Sequence, residues 1–293
     1  SVKNQKITPV LWYDPQAEEA ARLYTSLFGD SRVGNILLYG AAGSKVSGMP
    51  VGSILTVEFV IGSHKVIALN GGPLLKFNPS ISFYVICAGE YEIDSIWQKL
   101  IEGGLAMMPL DKYPWSTKYG WVQDKYGISW QLTVDNTGNP GQKFTPALMF
   151  TGSNNGKAAD AINYYTTLFT DSGISLMSKY PDSDADNRGN INHAQFKLRG
   201  GTFAAMDGGL MHEFSFNEAI SFVVECDTQR EIDYFWDSLA DKGEEGQCGW
   251  LKDRYGVSWQ IIPSILKTLM SDPSKSERVV KAFLQMKKFE IDK

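Results

Sequence analysis

Hydrophobic and polar residues follow two different periods along the chain. In residues 17–28, Ala20, Ala21, Tyr24 and Leu27 lie three or four positions apart, which predicts an amphipathic helix. A second helix is predicted at residues 90–100. Short apolar runs bounded by turn residues predict strands, and in the first half these runs are residues 8–13, 33–39, 54–61, 65–69, 81–87, 120–123 and 128–133. Helices mixed with strands in this order indicate an α+β fold.

The same pattern occurs twice. Residues 120–132 read GWVQDKYGISWQL and residues 249–261 read GWLKDRYGVSWQI, and two tryptophans in register make a chance match untenable. Between matching blocks the register shifts, most of all through about ten extra residues at 107–117 in the first copy. Each copy therefore approximates β-α-β-β-β followed by β-α-(β)-β-β.

The repeat predicts two domains. The first is expected at residues 1–135 and the second at residues 144–293, with a turn-rich linker at residues 136–143. Residues 263–293 form a tail in which one or two helices are expected to dock back onto the second domain, without a leading part in chemistry.

Composition narrows the function classes. The net charge is −5 with no basic stripe, which disfavours nucleic acid or an anionic membrane surface as a partner. No apolar run reaches the length of a membrane span, and the first residues lack the apolar core of a signal peptide. Three cysteines without CxxC spacing disfavour structural zinc and a disulfide framework. We therefore expect a cytoplasmic protein with reduced thiols.

Several motifs resemble one family. They are TPVLWY at residues 8–13, ALNGG at 68–72, YGxSWQ at the end of each copy and LQMKK at 284–288. The chain resembles the PhnB-like branch of the vicinal oxygen chelate (glyoxalase/bleomycin-resistance) superfamily, many of whose members are called 3-demethylubiquinone-9 3-methyltransferase-like. The resemblance implies tandem domains, each of two paired βαβββ modules that curl an eight-stranded sheet around a cavity.

The resemblance also implies where a site would lie. Enzymes of the superfamily hold a divalent metal on His and Glu side chains from four equivalent strands, and others bind drugs. The matching positions in this sequence are Thr8, Thr56, Ser82 and Gln131 in the first copy and Thr145, His193, Ser221 and Gln260 in the second. Only one of the eight, His193, is a usual metal ligand, so we expect no metal and no other cofactor.

His193 is the single metal-ligand candidate. Strand alternation places it and Gln195 on one face, where it is either a hydrogen-bonded strand residue or a ligand-binding or proton-transfer group. Glu58, the counterpart of Gln195, either faces the cavity as a base or points to water. Gln131 and Gln260 suit hydrogen bonds to a polar ligand. His64 and His212 are expected to be exposed.

Other recurring residues have structural interpretations. The tryptophans Trp130 and Trp259 are expected to pack beneath helices. Asp124 and Asp253 are expected to form turns. The glycine pairs at residues 71–72 and 208–209 do not match a cofactor-binding GxGxxG motif.

Three classes of function remain open from the sequence. They are a non-catalytic small-molecule binder, a metal-dependent lyase or dioxygenase that uses His193 with or without Glu58, and a methyltransferase. Whether the chain is an enzyme stays undecided. The binder agrees best with the missing ligand set. The duplication further suggests that the two copies pack as a pseudo-dimer within one chain, which would be a monomer or a weak homodimer.

Overall fold

A computed structural model describes residues 5–135 and 142–292. These residues form two compact units, each built on one mixed eight-stranded sheet. Unit 1 comprises residues 5–25, 31–76 and 216–292, and unit 2 comprises residues 26–30, 77–135 and 142–215. The predicted α+β class and the paired modules are confirmed.

Unit 1 joins the first module of copy one to the second module of copy two. The sheet order is β14-β15-β16-β13-β1-β4-β3-β2, and β1 pairs antiparallel with β13 at its centre. The strands are β1 (Ile7–Tyr13), β2 (Arg32–Leu38), β3 (Ile54–Ile61), β4 (His64–Asn70), β13 (Ile220–Cys226), β14 (Glu244–Glu245), β15 (Trp250–Lys252) and β16 (Ser258–Pro263). The helices are α1 (Ala17–Leu27), α2 (Ala41–Ser47), α5 (Gln229–Ala240), α6 (Ile265–Met270) and α7 (Ser276–Phe283).

Unit 2 joins the two remaining modules in the same way. The sheet order is β10-β11-β12-β9-β5-β8-β7-β6, and β5 pairs antiparallel with β9 at its centre. The strands are β5 (Ile81–Cys87), β6 (Leu105–Tyr113), β7 (Ser116–Gln123), β8 (Ser129–Val134), β9 (Phe144–Thr151), β10 (Gly173–Lys179), β11 (Ile191–Leu198) and β12 (Gly201–Gly209). The helices are α3 (Glu90–Leu100) and α4 (Ala158–Leu168).

The compact units therefore differ from the predicted domains 1–135 and 144–293. Each repeat contributes one module to each sheet, so the boundary between the copies does not separate the units. The sequence shows no sign of this exchange because the modules are equivalent, and β5 finds the same hydrogen-bonding edge on β9 as on β1. Most of the predicted linker, residues 136–141, lies outside the described residues. The pseudo-dimer of whole copies stays a prediction.

Helix positions follow the predicted spacing. In α1 the buried residues are Ala17, Ala20, Ala21 and Tyr24, one apolar stripe against the sheet. Two side chains cap the start of helix α5. The hydroxyl of the N-cap residue Thr228 accepts a hydrogen bond from Glu231 N, and the Glu231 carboxylate accepts one from Asp227 N, just before the cap. The sequence did not predict α2 or β6, and it predicted only the second half of β7.

The motif near the end of each copy fixes a turn. Asp124 Oδ1 accepts hydrogen bonds from Tyr126 N and Ile128 N, and its Oδ2 accepts one from Trp130 Nε1 at 2.9 Å. Asp253 repeats the arrangement with Trp259. Both tryptophans are buried. The turn-forming role of the aspartates and the core role of the tryptophans are confirmed.

The tail docks onto unit 1 as predicted. Cys248 N donates to Met286 O and Gly249 N to Lys287 O, both at 2.8 Å, and Phe289 is buried. Gly249 has φ +82°, and a Cβ there would lie 2.5 Å from the Phe289 ring. Glycine at this position therefore lets the tail approach the sheet closely.

Two predictions on composition can be compared with the structure. Across residues 5–135 and 142–292, no helix is long and apolar enough to cross a membrane. The three cysteines, Cys87, Cys226 and Cys248, are all free thiols.

Candidate functional site

Unit 2 encloses a cavity of about 580 Å³ on its sheet. Every lining residue comes from a strand or strand end of this unit. The lining residues are Ser82, Tyr84, Met108, Trp115, Tyr119, Trp121, Gln131, Thr133, Ala147, Leu148, Met149, Tyr180, Asn192, His193, Ala204, Ala205 and Met206. The volume lies in the range of small-molecule sites, and the lining is mainly apolar with a few polar groups, as such sites require.

Five rings form a continuous series along this cavity, which we call the aromatic wall: His193, Tyr84, Tyr119, Trp115 and Tyr113. Successive ring centroids are 6.2, 6.3, 5.4 and 5.0 Å apart. Tyr84 stands on the central strand β5, whereas His193 stands on β11 and Tyr119 on β7. Trp115 and Tyr113 lie near the tip of the β6–β7 hairpin. This tip is built by the extra residues of copy one.

A bulge in β11 brings two neighbouring side chains to the cavity. Ser178 pairs with His193, but Lys179 pairs with Ile191, so Asn192 is an extra residue in the ladder. Asn192 and His193 consequently both line the cavity, which simple alternation does not allow. The His193 ring lies 3.3 Å from Gln195 Nε2, and burial lowers the pKa of His193.

Three polar groups in the cavity bind one another. Tyr119 Oη donates to Gln131 Oε1 at 2.5 Å, and Gln131 Nε2 donates to Ser82 Oγ at 2.9 Å. The amide of Gln131 is thus fixed with its oxygen toward β7 and its nitrogen toward β5. The network orients the side chains without introducing charge.

Two polar atoms of lining residues are buried without a hydrogen-bond partner. They are Trp121 Nε1, a donor, and Asn192 Oδ1, an acceptor. An unpaired buried group costs about 1–3 kcal/mol. Such atoms are uncommon in folded proteins, and because protein atoms cover both of them they do not face the cavity.

Unit 1 has a smaller and different cavity, of about 340 Å³. Thr8, Thr56, Glu58 and Gln260 line it together with residues of the tail, which include Leu266, Lys267, Met270, Phe283 and Phe289. Lys267 Nζ lies 3.2 Å from Glu58 Oε1. Glu58 therefore faces the cavity rather than water, and the tail, from which no leading part in chemistry was expected, forms one side of this cavity.

The structure divides the eight resemblance-derived positions differently from the sequence analysis. Unit 2 brings together Ser82, Gln131, Thr145 and His193, whereas unit 1 brings together Thr8, Thr56, Ser221 and Gln260, so each set draws on both copies. Six of these eight residues line the cavity of their unit, and so does Glu58. The other two, Thr145 and Ser221, are buried beside the cavities. Ser221 Oγ accepts a hydrogen bond from Gln260 Nε2 at 3.0 Å. Gln195 contacts His193 but does not line the cavity.

The two other histidines lie away from both sites. His212 is exposed, as predicted. The expectation of exposure is wrong for His64, which begins β4, is half-buried, and has its pKa lowered by burial to about 4. A hairpin turn alone did not reveal that the ring folds back against the unit.

The donors in unit 2 do not fit the metal site implied by the superfamily. Across the described part of the chain, no group of three or more His, Cys, Asp or Glu side chains is placed to hold a metal ion. Two hydroxyls, an amide and one imidazole supply no negative charge to balance a divalent ion. No reaction step is therefore assigned to a metal.

Sequence reasoning missed the residues that give the cavity its character. Tyr84, Tyr119 and Trp115 were not singled out because aromatic residues in strands more often indicate core packing. The available signal was a difference within the repeat. Tyr84 corresponds to Val223 and Tyr119 to Cys248, so these two positions gained or lost a ring where the surrounding motif stayed the same.

The sequence model of the 3-demethylubiquinone-9 3-methyltransferase family matches residues 5–133 and 142–262. The PhnB protein from Bacillus cereus is 38% identical over 45% of this chain and 100% of its own, with a TM-score of 0.41. Glyoxalase I from Zea mays is 10% identical, has a TM-score of 0.53, and is covered over 92% of its length by 88% of this chain. At that identity the likeness shows a shared fold. No curated protein matches the chain.

Proposed function

This chain belongs to the 3-demethylubiquinone-9 3-methyltransferase family, and we propose that it binds a small organic molecule in the cavity of unit 2 without a resident metal ion. The observation that carries the proposal is the pairing of a cavity of about 580 Å³ with a donor set that lacks any carboxylate. A glyoxalase-like sheet supplies the cavity, and the strand positions that serve metal binding elsewhere serve hydrogen bonding in this chain.

The geometry supports binding through shape and neutral polar groups. The Tyr119–Gln131–Ser82 hydrogen bonds fix one side of the site before a ligand arrives, which lowers the ordering cost of binding. Met108, Met149 and Met206 contribute flexible, polarizable side chains that adapt to the outline of a ligand.

The family description implies methyl transfer, for which this chain offers less support. Gly71 and Gly72 follow β4, and Gly208 and Gly209 end β12, yet neither pair opens a helix. A helix N-terminus after such a turn is what a phosphate or nucleotide-like cofactor would use. Binding of S-adenosylmethionine by the purified chain would support this alternative against our proposal.

A fluorescence titration tests the proposal directly. The full chain, in the presence of EDTA, is titrated with two probes that share a naphthyl–phenylamine skeleton: N-phenyl-1-naphthylamine, which is neutral, and 1-anilinonaphthalene-8-sulfonate, which is anionic. We expect saturable binding of at least one probe. Absence of binding by both, or binding that appears only when a divalent metal is added, would contradict the proposal.

The repeat provides a matched pair of variants for this experiment. Ala147 in β9 and Val10 in β1 occupy equivalent positions, and each lines the cavity of its own unit. Ala147→Phe fills the cavity of unit 2 and is expected to abolish probe binding. Val10→Phe fills the cavity of unit 1 and is expected to leave probe binding unchanged. Circular dichroism verifies that both variants are folded. Loss of probe binding in Val10→Phe but not in Ala147→Phe would show that the probe binds in unit 1.

A further inference from the structure

The cavity of unit 2 offers no charge to a ligand. Among its described lining residues there is no Asp, Glu, Lys or Arg. A charged ligand would leave water without gaining an ionic partner, which is strongly unfavourable. An uncharged ligand avoids this loss.

The ionisable side chains of the cavity are neutral at pH 7. Burial raises the pKa of Tyr84 to about 12 and also raises those of Tyr119 and Tyr180. Burial lowers the pKa of His193. Tyr180 Oη is also committed as a donor to Asp207 O at 2.7 Å. The lining thus presents aromatic rings, aliphatic side chains and neutral polar groups, and no charge.

Aromatic rings make up much of the lining. Six of the lining residues carry rings: Tyr84, Trp115, Tyr119, Trp121, Tyr180 and His193. Four of the five rings of the aromatic wall are among them, and its fifth, Tyr113, stacks on Trp115 with an interplanar angle of 21°. Flat ligands gain most from such a surface because stacked and edge-to-face contacts add to simple burial.

Resting on the proposed function, we propose that the ligand of unit 2 is an uncharged, planar aromatic molecule that packs against the aromatic wall, with Trp115 as a specificity-determining residue at its outer end. The Trp115 side chain lines the cavity yet remains 58% exposed. It is therefore placed to cover a ligand that enters past the β6–β7 hairpin. A large exposed ring held by a neighbour, rather than buried, suits such a contact.

Unit 1 shows that these features are not imposed by the fold. At the positions equivalent to Tyr84, Tyr119 and His193 it carries Val223, Cys248 and Thr56, all lining its own cavity. It also places Glu58 and Lys267 in the lining. Selectivity for a neutral aromatic ligand is accordingly assigned to unit 2 alone.

The ratio of two affinities tests the charge requirement. At pH 7 we expect N-phenyl-1-naphthylamine to bind at least about 10-fold more tightly than 1-anilinonaphthalene-8-sulfonate, because the sulfonate has no ionic partner in the cavity. If the anionic probe binds equally or better, and Ala147→Phe abolishes that binding, the inference is overturned while the proposed function stands. If neither probe binds, the proposed function itself fails.

A second pair of compounds tests planarity. 2-Naphthol and decahydro-2-naphthol share a carbon skeleton and a hydroxyl group but only the first is flat. We expect 2-naphthol to displace the neutral probe at a concentration about 3- to 10-fold lower, the range of ring–ring contacts. Equal or better displacement by the saturated compound would overturn the assignment of a planar ligand.

Substitution of Trp115 tests its role without disturbing the core. Trp115→Ala is expected to weaken binding of the neutral probe about 3- to 10-fold. The substitution should reduce the affinity for decahydro-2-naphthol less than the affinity for 2-naphthol. Tyr91→Ala, which removes an aromatic side chain that is 88% exposed on α3, is the matched control and leaves both unchanged. Equal loss for the flat and the saturated compound, or no loss for either, would overturn the role of Trp115.

Discussion

The two units have the same sheet architecture and different cavities. Unit 2 has rings at three positions where unit 1 has Val223, Cys248 and Thr56. The frame around them is the same in both, with Gln131 and Gln260 each donating to a serine on the neighbouring strand. Duplication therefore kept the supporting residues and changed residues that line the cavities.

Different elements close the two cavities. In unit 2 the long β6–β7 hairpin supplies Met108 and Trp115. Its counterpart in unit 1 is reduced to β14 and β15, of two and three residues, and the tail contributes Phe283 and Phe289 instead. The larger cavity thus has an aromatic hairpin beside it, and the smaller one has a segment of its own chain.

The largest effect is expected where the tail joins unit 1. Phe289→Ala removes a side chain that is only 4% exposed and should lower the free energy of unfolding by about 3–5 kcal/mol. Denaturant unfolding measures this change. Binding of the neutral probe should survive, because its cavity lies in unit 2. Loss of probe binding in a folded Phe289→Ala variant would contradict the proposal that unit 2 binds the ligand independently of the tail.

A slightly smaller effect is expected from the aspartate turn that both copies share. Asp124→Ala and Asp253→Ala each remove an acceptor of three hydrogen bonds, including one from a buried tryptophan. Each should cost about 2–3 kcal/mol by denaturant unfolding. Similar losses of stability in the two variants would support the structural equivalence of the two turns. A negligible loss in one variant would refute this role of the aspartate in that copy.

The pH dependence of stability should carry a contribution from unit 1. Burial lowers the pKa of His64 from 6.5 to about 4, so the unfolded chain binds a proton between these values and the folded chain does not. This contribution is fully present above pH 6.5 and is lost as pH falls toward 4. His64→Gln should flatten the decline relative to the parent. An unchanged slope would contradict the burial of this ring.

The smallest effect is expected from the ion pair in the cavity of unit 1. The Lys267 side chain is 47% exposed and that of Glu58 is 18% exposed, so solvent screens their attraction. Glu58→Gln should change stability by about 1 kcal/mol or less. The more exposed pair of Glu18 and Arg22, whose side chains are 40% and 60% exposed, is a suitable control through Glu18→Gln. A loss of several kcal/mol would mean that the tail depends on this pair.

Local patterns predicted most of the fold. The limits of β3, β5 and α3 agree with apolar spacing alone. The repeated Asp–x–Tyr–Gly motif revealed the internal repeat and the turn in each copy. The pairing of modules across the copies could not be predicted, because β1 and β9 present equivalent edges. Helix α2 was missed because its sequence, AAGSKVS, buries no residue and therefore shows no apolar stripe.

The candidate site was predicted only in outline. His193, Gln131 and Ser82 were identified through the resemblance and do line one cavity. Asn192 could not be found, since its position depends on a bulge that alternation does not show. The grouping of Glu58 with Lys267 was also out of reach, because the tail approaches the sheet from a distant part of the sequence.

Crystals grown with N-phenyl-1-naphthylamine would show whether unit 2 binds a ligand without a metal ion. Diffraction is recorded from them also at the absorption edges of zinc, nickel, iron, cobalt and manganese. We expect density for the probe in the cavity of unit 2, against Tyr84, Tyr119 and Trp115, with no anomalous peak near His193. An anomalous peak about 2.0–2.1 Å from a ring nitrogen of His193, or a probe seated only in unit 1, would contradict it.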